Sequence, residues 1–254
     1  MKFMDLVNVP FRVAGIELKK REAWRAPEDL FHEWSYLEST ARRLEHLATL
    51  RLPVRGKTVL EVGAGIGDLS GYFLDRGCQV TITEGRESNL EYIRHRHPKC
   101  AVALLDLEKP REMPGAPFDI VVCFGVLYHV SNPAEVLHSL AGQCRDMLLL
   151  ATSVSFGSES AEHIVDEDQR SPTQAVSGRG CRPTRRWIFE TLAKDFAHVY
   201  LPRTQPNHEQ YPIDWTRPEL HTAPLNRAIF IASRTPLASD QLLTELCAQQ
   251  ERIA

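Results

Sequence analysis

The chain has 254 residues, 43% hydrophobic and 25% charged, with thirty basic against thirty-three acidic side chains and a net charge of -3. That is enough for one large α/β domain with a full core, and the slightly acidic balance without a basic block argues against a broad nucleic-acid surface. No run approaches the roughly eighteen apolar residues of a membrane span, and MKFMDLVNVP lacks a signal-peptide core, so a cytoplasmic protein without membrane contact is expected.

In chain order, Val7, Val9, Phe11 and Val13 alternate before Ala14-Gly15, with Ile16 and Leu18 beyond, the pattern of a small hairpin. Pro27 to Leu50 reads as helix, with Leu37, Leu44 and Leu47 on one stripe and Arg42 and Arg43 near its middle. Thr58 to Val62 is apolar and β-branched, a buried parallel strand, and from Asp68 onward Leu69, Tyr72, Phe73 and Leu74 take helical spacing up to Arg76-Gly77. Strands are expected at Gln79–Thr83, Ala101–Leu105, Phe118–Phe124 and Met147–Thr152, with helices at Glu87–His97 and Pro133–Gly142 between them. Thr184 to Lys194 looks helical, His198 to Leu201 extended, and Ala228 to Ser233 is a final strand. Strands alternating with helices in this way build a doubly wound sheet. The six cysteines, at 78, 100, 123, 144, 181 and 247, fall singly without zinc-site spacing and read as small buried hydrophobes kept reduced.

The most telling segment is VLEVGAGIGDLS, residues 59–70, where the first strand stops at an acid and breaks into Gly63, Gly65 and Gly67. Glycines at a strand-to-helix crossover allow a tight turn and let a ligand approach the main chain. A dinucleotide loop would read GxGxxG, with its last glycine where a pyrophosphate meets the helix. Here that position is Asp68, and an acid repels phosphate.

ExGxGxG after a first strand resembles motif I of the class I S-adenosylmethionine-dependent methyltransferases. The resemblance covers roughly residues 57–152 with specific motifs and the rest only in its order of elements. It implies a Rossmann-like, seven-stranded, mostly parallel sheet with helices on both faces and an antiparallel last strand. It also implies S-adenosylmethionine as cofactor, its amino-acid end over Gly63, Ala64, Gly65 and Gly67. Glu84, about twenty residues past that loop, would accept both ribose hydroxyls, unless it is a solvated strand-end acid. Asp106 would accept from the adenine amino group, with the Leu107 backbone NH meeting the ring, or else it starts a turn. Glu61 would anchor the loop or the cofactor ammonium. Phe124 and Gly125 would pass under the methionine portion, whereas Asp119 is expected to be structural.

GVLYHVSNP resembles the stretch that follows the fourth strand in several branches of the family, and brings Val126 to Val130 to the place of methyl transfer. Methyl transfer chiefly needs nucleophile, methyl and sulfur held in line, and a hydroxyl acceptor must also lose its proton. His129 is the best-placed candidate base, the alternative being a histidine that hydrogen-bonds its own loop. Tyr128 would stack near the sulfonium, line the pocket, or simply pack.

Residues 153–183 and 203–224 are too long and polar for simple connections, and loops of this length are usually functional lids. Both are expected to leave the ligand-binding edge of the sheet and to wall the acceptor pocket, with Arg179, Arg182, Asn207, His208 and Trp215 as contacts. His163, Asp166, Glu167 and Asp168 could hold a divalent metal for a diol acceptor, but a solvated acidic loop is the favoured reading, and no metal is expected. His95 and His97, two apart on a helix, cannot share a face.

The expected organisation is a single domain: a hairpin and helical cover over residues 1–52, a cofactor-binding core over 53–152, and lid loops with C-terminal strands over 153–254. In the family such helices close over the cofactor, the alternative being a packing helix with solvated arginines. The expected reaction is O-methylation of a hydroxyl on a small molecule or glycan intermediate. Two readings stand beside it: an RNA-modifying transferase, disfavoured by the charge balance, and a catalytically silent cofactor-binding scaffold.

Overall fold

A computed structural model describes residues 27–171 and 173–253. The N-terminal hairpin expectation lies outside these residues.

Five parallel strands form as the apolar runs dictate: β1 (Thr58–Val62), β2 (Gln79–Glu84), β3 (Ala101–Leu104), β4 (Phe118–Phe124) and β5 (Cys144–Ser153). Two short strands, β6 (Ile164–Asp166) and β7 (Arg179–Cys181), pair as a separate ribbon inside the long 153–183 segment. The C-terminal part adds β8 (His198–Pro202), β9 (Thr204–Gln205), β10 (Arg227–Ser233), β11 (Leu242–Leu243) and β12 (Glu251–Arg252). The main sheet has eight strands in the order β11-β8-β10-β5-β4-β1-β2-β3. β10 runs antiparallel between β5 and β8, as the resemblance implies. The eighth strand is the two-residue β11 on the edge, Leu242 opposite Pro202, too short to leave a sequence pattern.

The helices are α1 (Pro27–Phe31), α2 (Trp34–Thr49), α3 (Ser70–Leu74), α4 (Glu87–Arg96), α5 (Pro133–Gly142) and α6 (Arg185–Leu192). Thr184 stands just before α6, its hydroxyl accepting the Trp187 NH at 3.3 Å as an N-cap. The expected single helix over 27–50 is two, and its stripe is corrected: Leu47 is buried but Leu37 is 41% exposed.

Alternate residues of each strand enter opposite cores. Leu60, Val121, Cys123, Leu148 and Leu150 pack with Val136, Leu140, Ile188 and Leu192 of α5 and α6. Val59, Ile120, Val122, Leu149 and Ala151 pack with Leu47, Phe73, Leu90 and Ile93 of α2 to α4. All six cysteines are free thiols, and burial pushes Cys123, Cys144 and Cys181 up to about 12. Asp119 is structural, as expected: it accepts the Thr58 NH at 2.8 Å and Arg145 Nη1 at 2.6 Å, tying β4 to β1 and β5.

The chain winds outward from β1 to β2 and β3, then returns to β4 on the other side. A crevice opens at such a reversal, at the carboxyl ends of the strands, and ligands of α/β sheets bind there. Val62 stands opposite Cys123, and Glu84 opposite Leu104, so the acids and glycines that follow reach one edge together. Among the described residues no helix is long and apolar enough to cross a membrane.

Candidate active site

Two adjoining cavities occupy the crevice. The first is lined by Gly63, Gly65, Glu84, Asp106, Leu107, Gly125 and His129, with Phe31 and Tyr36 from the helical cover. The second shares Gly63, Gly65, Gly125, Tyr36 and Tyr128 and adds Ala64, Phe124, Arg43, Arg182 and Arg227. Of the ten residues expected around the cofactor, Gly63, Ala64, Gly65, Glu84, Asp106, Leu107, Phe124 and Gly125 therefore meet in one place.

The glycine loop leaves no room for side chains. Gly63 and Gly65 have φ of 62° and 61°, in the left-handed region. A Cβ on Gly63 would lie 2.4 Å from Val126 Cγ2, and one on Gly65 2.8 Å from the Phe31 ring. The loop is braced from two sides. Glu84 Oε2 accepts the Gly65 NH at 2.9 Å, and Glu84 Oε1 accepts from Arg86 N and Asn89 Nδ2 at 3.2 and 3.3 Å. Burial raises the Glu84 carboxyl above its ordinary range, against these donors.

Two expected cofactor residues, Glu61 and Gly67, line neither cavity. Glu61 is buried, accepts from the Ser70 hydroxyl, and keeps Oε1 without a partner. Burial pushes its pKa up to about 7. The Gly67 carbonyl accepts from His97 Nε2 at 2.9 Å, so this glycine and His97 join the loop to the end of α4. The carboxylates of Glu84 and Asp106 in the lining offer acceptors, so the crevice suits a ligand that presents hydrogen-bond donors.

His129 ends a 3-10 turn, Leu127–His129, directly after β4. Its Nδ1 donates to Glu167 Oε2 at 2.5 Å, and the two side chains are only 13% and 3% exposed. Glu167 Oε2 also accepts the Ala175 NH at 2.8 Å, and its Oε1 accepts Arg182 Nη2 at 3.0 Å. Burial pushes Glu167 up, but these donors outweigh it and hold the carboxyl below its usual range. Burial pushes the His129 ring down, and the pull of Glu167 only partly opposes this. The pair is thus an ionised glutamate beside a neutral imidazole whose Nε2 keeps the lone pair.

Glu167 corrects the expectation of a solvated acidic loop: it is the buried partner of His129 and Arg182. Its neighbour Asp168 is exposed and bound by Arg170. Among the described residues no cluster of three or more histidine, cysteine or acidic side chains could hold a metal.

The structure divides the expected acceptor contacts. Tyr128 lines both cavities, and its hydroxyl accepts Arg227 Nη2 at 3.0 Å. Arg182 lines the second cavity, held by Glu167 and by the Tyr128 carbonyl. Arg179, Asn207, His208 and Trp215 line neither cavity, which corrects their placement. Arg179 and Asn207 are exposed. His208 Nδ1 accepts from the Gln210 NH at 3.2 Å. Trp215 packs on Phe156 beneath the Arg185 guanidinium and donates to Gln250 Oε1 at 2.8 Å. The two long segments do wall the cavities, through Thr173, Gln174 and Val176 from one and Gln210 from the other.

Sequence reasoning missed Arg227, Phe31 and Tyr36, and it grouped Glu167 with His163 and two aspartates instead of with His129. The first had a signal: an arginine opening RAIFIAS, a strand buried along its whole length, must find polar partners.

A family model of the methyltransferase domain matches residues 29–212. The ubiquinone biosynthesis O-methyltransferase of Pseudomonas paraeruginosa is 35% identical over 124 residues, covering 44% of this chain and 53% of that protein. The one from Hahella chejuensis is 33% identical over 125 residues, covering 45% and 52%. The chain thus spans about half the length of the curated relatives it matches. The N-terminal domain of EvdMO1, crystallised in the presence of SAH and D-fucose, superposes with a TM-score of 0.60 at 20% identity, covering 76% of this chain and 82% of that one. An S-adenosylmethionine-dependent methyltransferase from Mesorhizobium loti gives a TM-score of 0.55 at 17% identity, covering 76% and 98%. The chain belongs to the methyltransferase-domain family, on the class I S-adenosylmethionine-dependent methyltransferase fold.

Proposed function

We propose that the protein methylates a hydroxyl group on a small molecule, with S-adenosylmethionine as donor and His129 as the base. The reading is carried by the His129–Glu167 pair, a neutral imidazole held by a buried carboxylate at the wall of the cofactor-side cavity. The relatives are O-methyltransferases of ubiquinone biosynthesis, which supports the reading over the part of the chain that matches them.

Glu84 and Asp106 would hold the ribose and adenine ends, and the loop from Gly63 to Gly65 the amino-acid end. When bound, S-adenosylmethionine supplies a methyl carbon on a sulfonium, whose C–S bond breaks as the acceptor O–C bond forms, leaving S-adenosylhomocysteine. The acceptor hydroxyl gives its proton to His129 Nε2 as the bond forms. Glu167 fixes the imidazole tautomer through Nδ1 and stabilises the imidazolium that results. Phe31 and Tyr36 from the cover, with Gln174 and Val176 from the opposite segment, exclude water.

An acceptor screen of phenols, sugars and hydroxy acids, read by mass spectrometry for one added methyl group, tests the reaction. On an acceptor so found, His129→Asn should lower kcat by about a hundredfold or more, the usual contribution of a positioned base. Undiminished turnover would remove His129 from the mechanism.

A further inference from the structure

The chain between β6 and β7 reaches the first cavity, which it lines through Thr173, Gln174 and Val176. Little apolar burial holds it there: Val176 is 45% exposed, and Ala175, though buried, brings a single methyl group. Its hold is polar, and it comes from Arg86, two residues past Glu84. Arg86 Nη2 donates to the Ser171 and Gln174 carbonyls, each at 3.0 Å, with a longer contact of 3.4 Å to the Gln169 carbonyl. Carbonyl oxygens gathered this closely repel one another, and a guanidinium that never loses its charge offsets the repulsion. Val176 Cγ2 lies against the same turn, 3.5 Å from the place of a Gly85 Cβ.

One peptide group carries this contact to the imidazole. The Gln174 carbonyl accepts from Arg86, and the NH of the same peptide, that of Ala175, donates to Glu167 Oε2 at 2.8 Å. That oxygen also accepts from His129 Nδ1 at 2.5 Å. A cation at the carbonyl end of a peptide and a carboxylate at its NH end polarise it in the same sense, so each hydrogen bond strengthens the other. Arg86 and the imidazole are thus the two ends of a chain of three hydrogen bonds. The main chain of Arg86 faces the other way: its NH donates to Glu84 Oε1 at 3.2 Å.

We propose that Arg86 is a positioning residue for the base: by fixing the 174–175 peptide it keeps Glu167 aligned with His129 Nδ1, and it ties that alignment to the acid proposed for the cofactor ribose. The inference rests on the reading of His129 as the base. Arg182 holds Glu167 by its other oxygen, Oε1, so the placing of Oε2 depends on the Ala175 NH. Ser177 separately ties the far end of the loop to Glu108 Oε1 at 2.7 Å. Removing the Arg86 guanidinium should therefore release this one peptide and not the whole loop.

The test reads the tautomer of His129 by proton–nitrogen NMR of histidine-labelled protein at about pH 8, where a histidine is neutral. S-adenosylhomocysteine is present throughout, and loss of the signal in His129→Asn assigns it. The wild type should carry its proton on Nδ1. Arg86→Met, and the milder Arg86→Gln, should shift it towards the Nε2–H form that free histidine prefers, with thermal unfolding as the check on the fold. On an acceptor found by the screen, Arg86→Met should lower kcat by about tenfold. In the Glu167→Gln background the same change should cost less than about twofold more, because the two residues act through one contact. A folded Arg86 variant that keeps the wild-type tautomer overturns the proposal, and so do kcat losses that multiply in the double variant. A wild-type His129 with its proton on Nε2 would overturn the pair itself and the base with it. Undiminished turnover in His129→Asn, with the tautomer still dependent on Arg86, would overturn the base reading while the hold of Arg86 on Glu167 stands.

Discussion

At the scale of single residues, the chemistry turns on how Glu167 sets the state of His129. An imidazole pushed below its ordinary 6.5 by burial is neutral at pH 7, and the carboxylate at Nδ1 limits that fall. The acid limb of kcat/KM should therefore have its midpoint below 6.5, with activity rising as His129 loses its proton. Glu167→Gln removes the charge that favours the imidazolium, so the limb should move to still lower pH while kcat falls by about tenfold or more. A fall in kcat with the limb unmoved would make Glu167 a purely structural brace. Arg182 sits in the same network and cannot be read alone, because it binds both Glu167 and the Tyr128 carbonyl.

Among the elements, the cover helix α2 shows most clearly what a sequence conceals. Its apolar stripe was legible only in part, since Leu37 is exposed, and the residue that fastens it is polar: His46, fully buried, donates from Nε2 to the Thr204 carbonyl at 2.9 Å. Burial pushes His46 down to about 4, against this hydrogen bond. The unfolded chain takes up its proton near 6.5 and the folded one only near 4, so this stabilisation is complete above 6.5 and is lost as pH falls towards 4. Urea unfolding at a series of pH values should show the decline, and His46→Gln should flatten it. Equal pH dependence in the two proteins would mean that the histidine is not held neutral. A lone histidine among polar and apolar neighbours carries no sign of such a contact, because its partner is distant in sequence. The same holds for Glu167, which local reading could see only as one acid in an acidic run.

For the molecule as a whole, what could be read from sequence was whatever is written in contiguous residues. The glycine loop, Glu84, Asp106 and the post-strand turn each lie at a strand end, and a parallel sheet delivers strand ends to one edge, so their convergence followed from the order of elements. The second cavity is assembled differently. Arg43 comes from a helix before the sheet, Arg182 from the end of an inserted ribbon, and Arg227 from the antiparallel strand, and no local pattern links them. Trp215 and Asn207 were placed at the pocket because their loop is long and aromatic, but that loop folds back on the C-terminal segment, where Trp215 meets Gln250. Its one lining contribution to the second cavity is Gln210.

We propose that the crevice beside β1 and β4 holds S-adenosylmethionine with Glu84 on its ribose. Titration calorimetry of S-adenosylmethionine into the wild-type protein and into Glu84→Ala, with thermal unfolding as a check on the fold, tests it most directly. Saturable binding to the wild type is expected, weakened about tenfold or more in the variant by loss of a charge-assisted acceptor. Absence of binding to the wild type, or equal affinity in a folded Glu84→Ala protein, would contradict it.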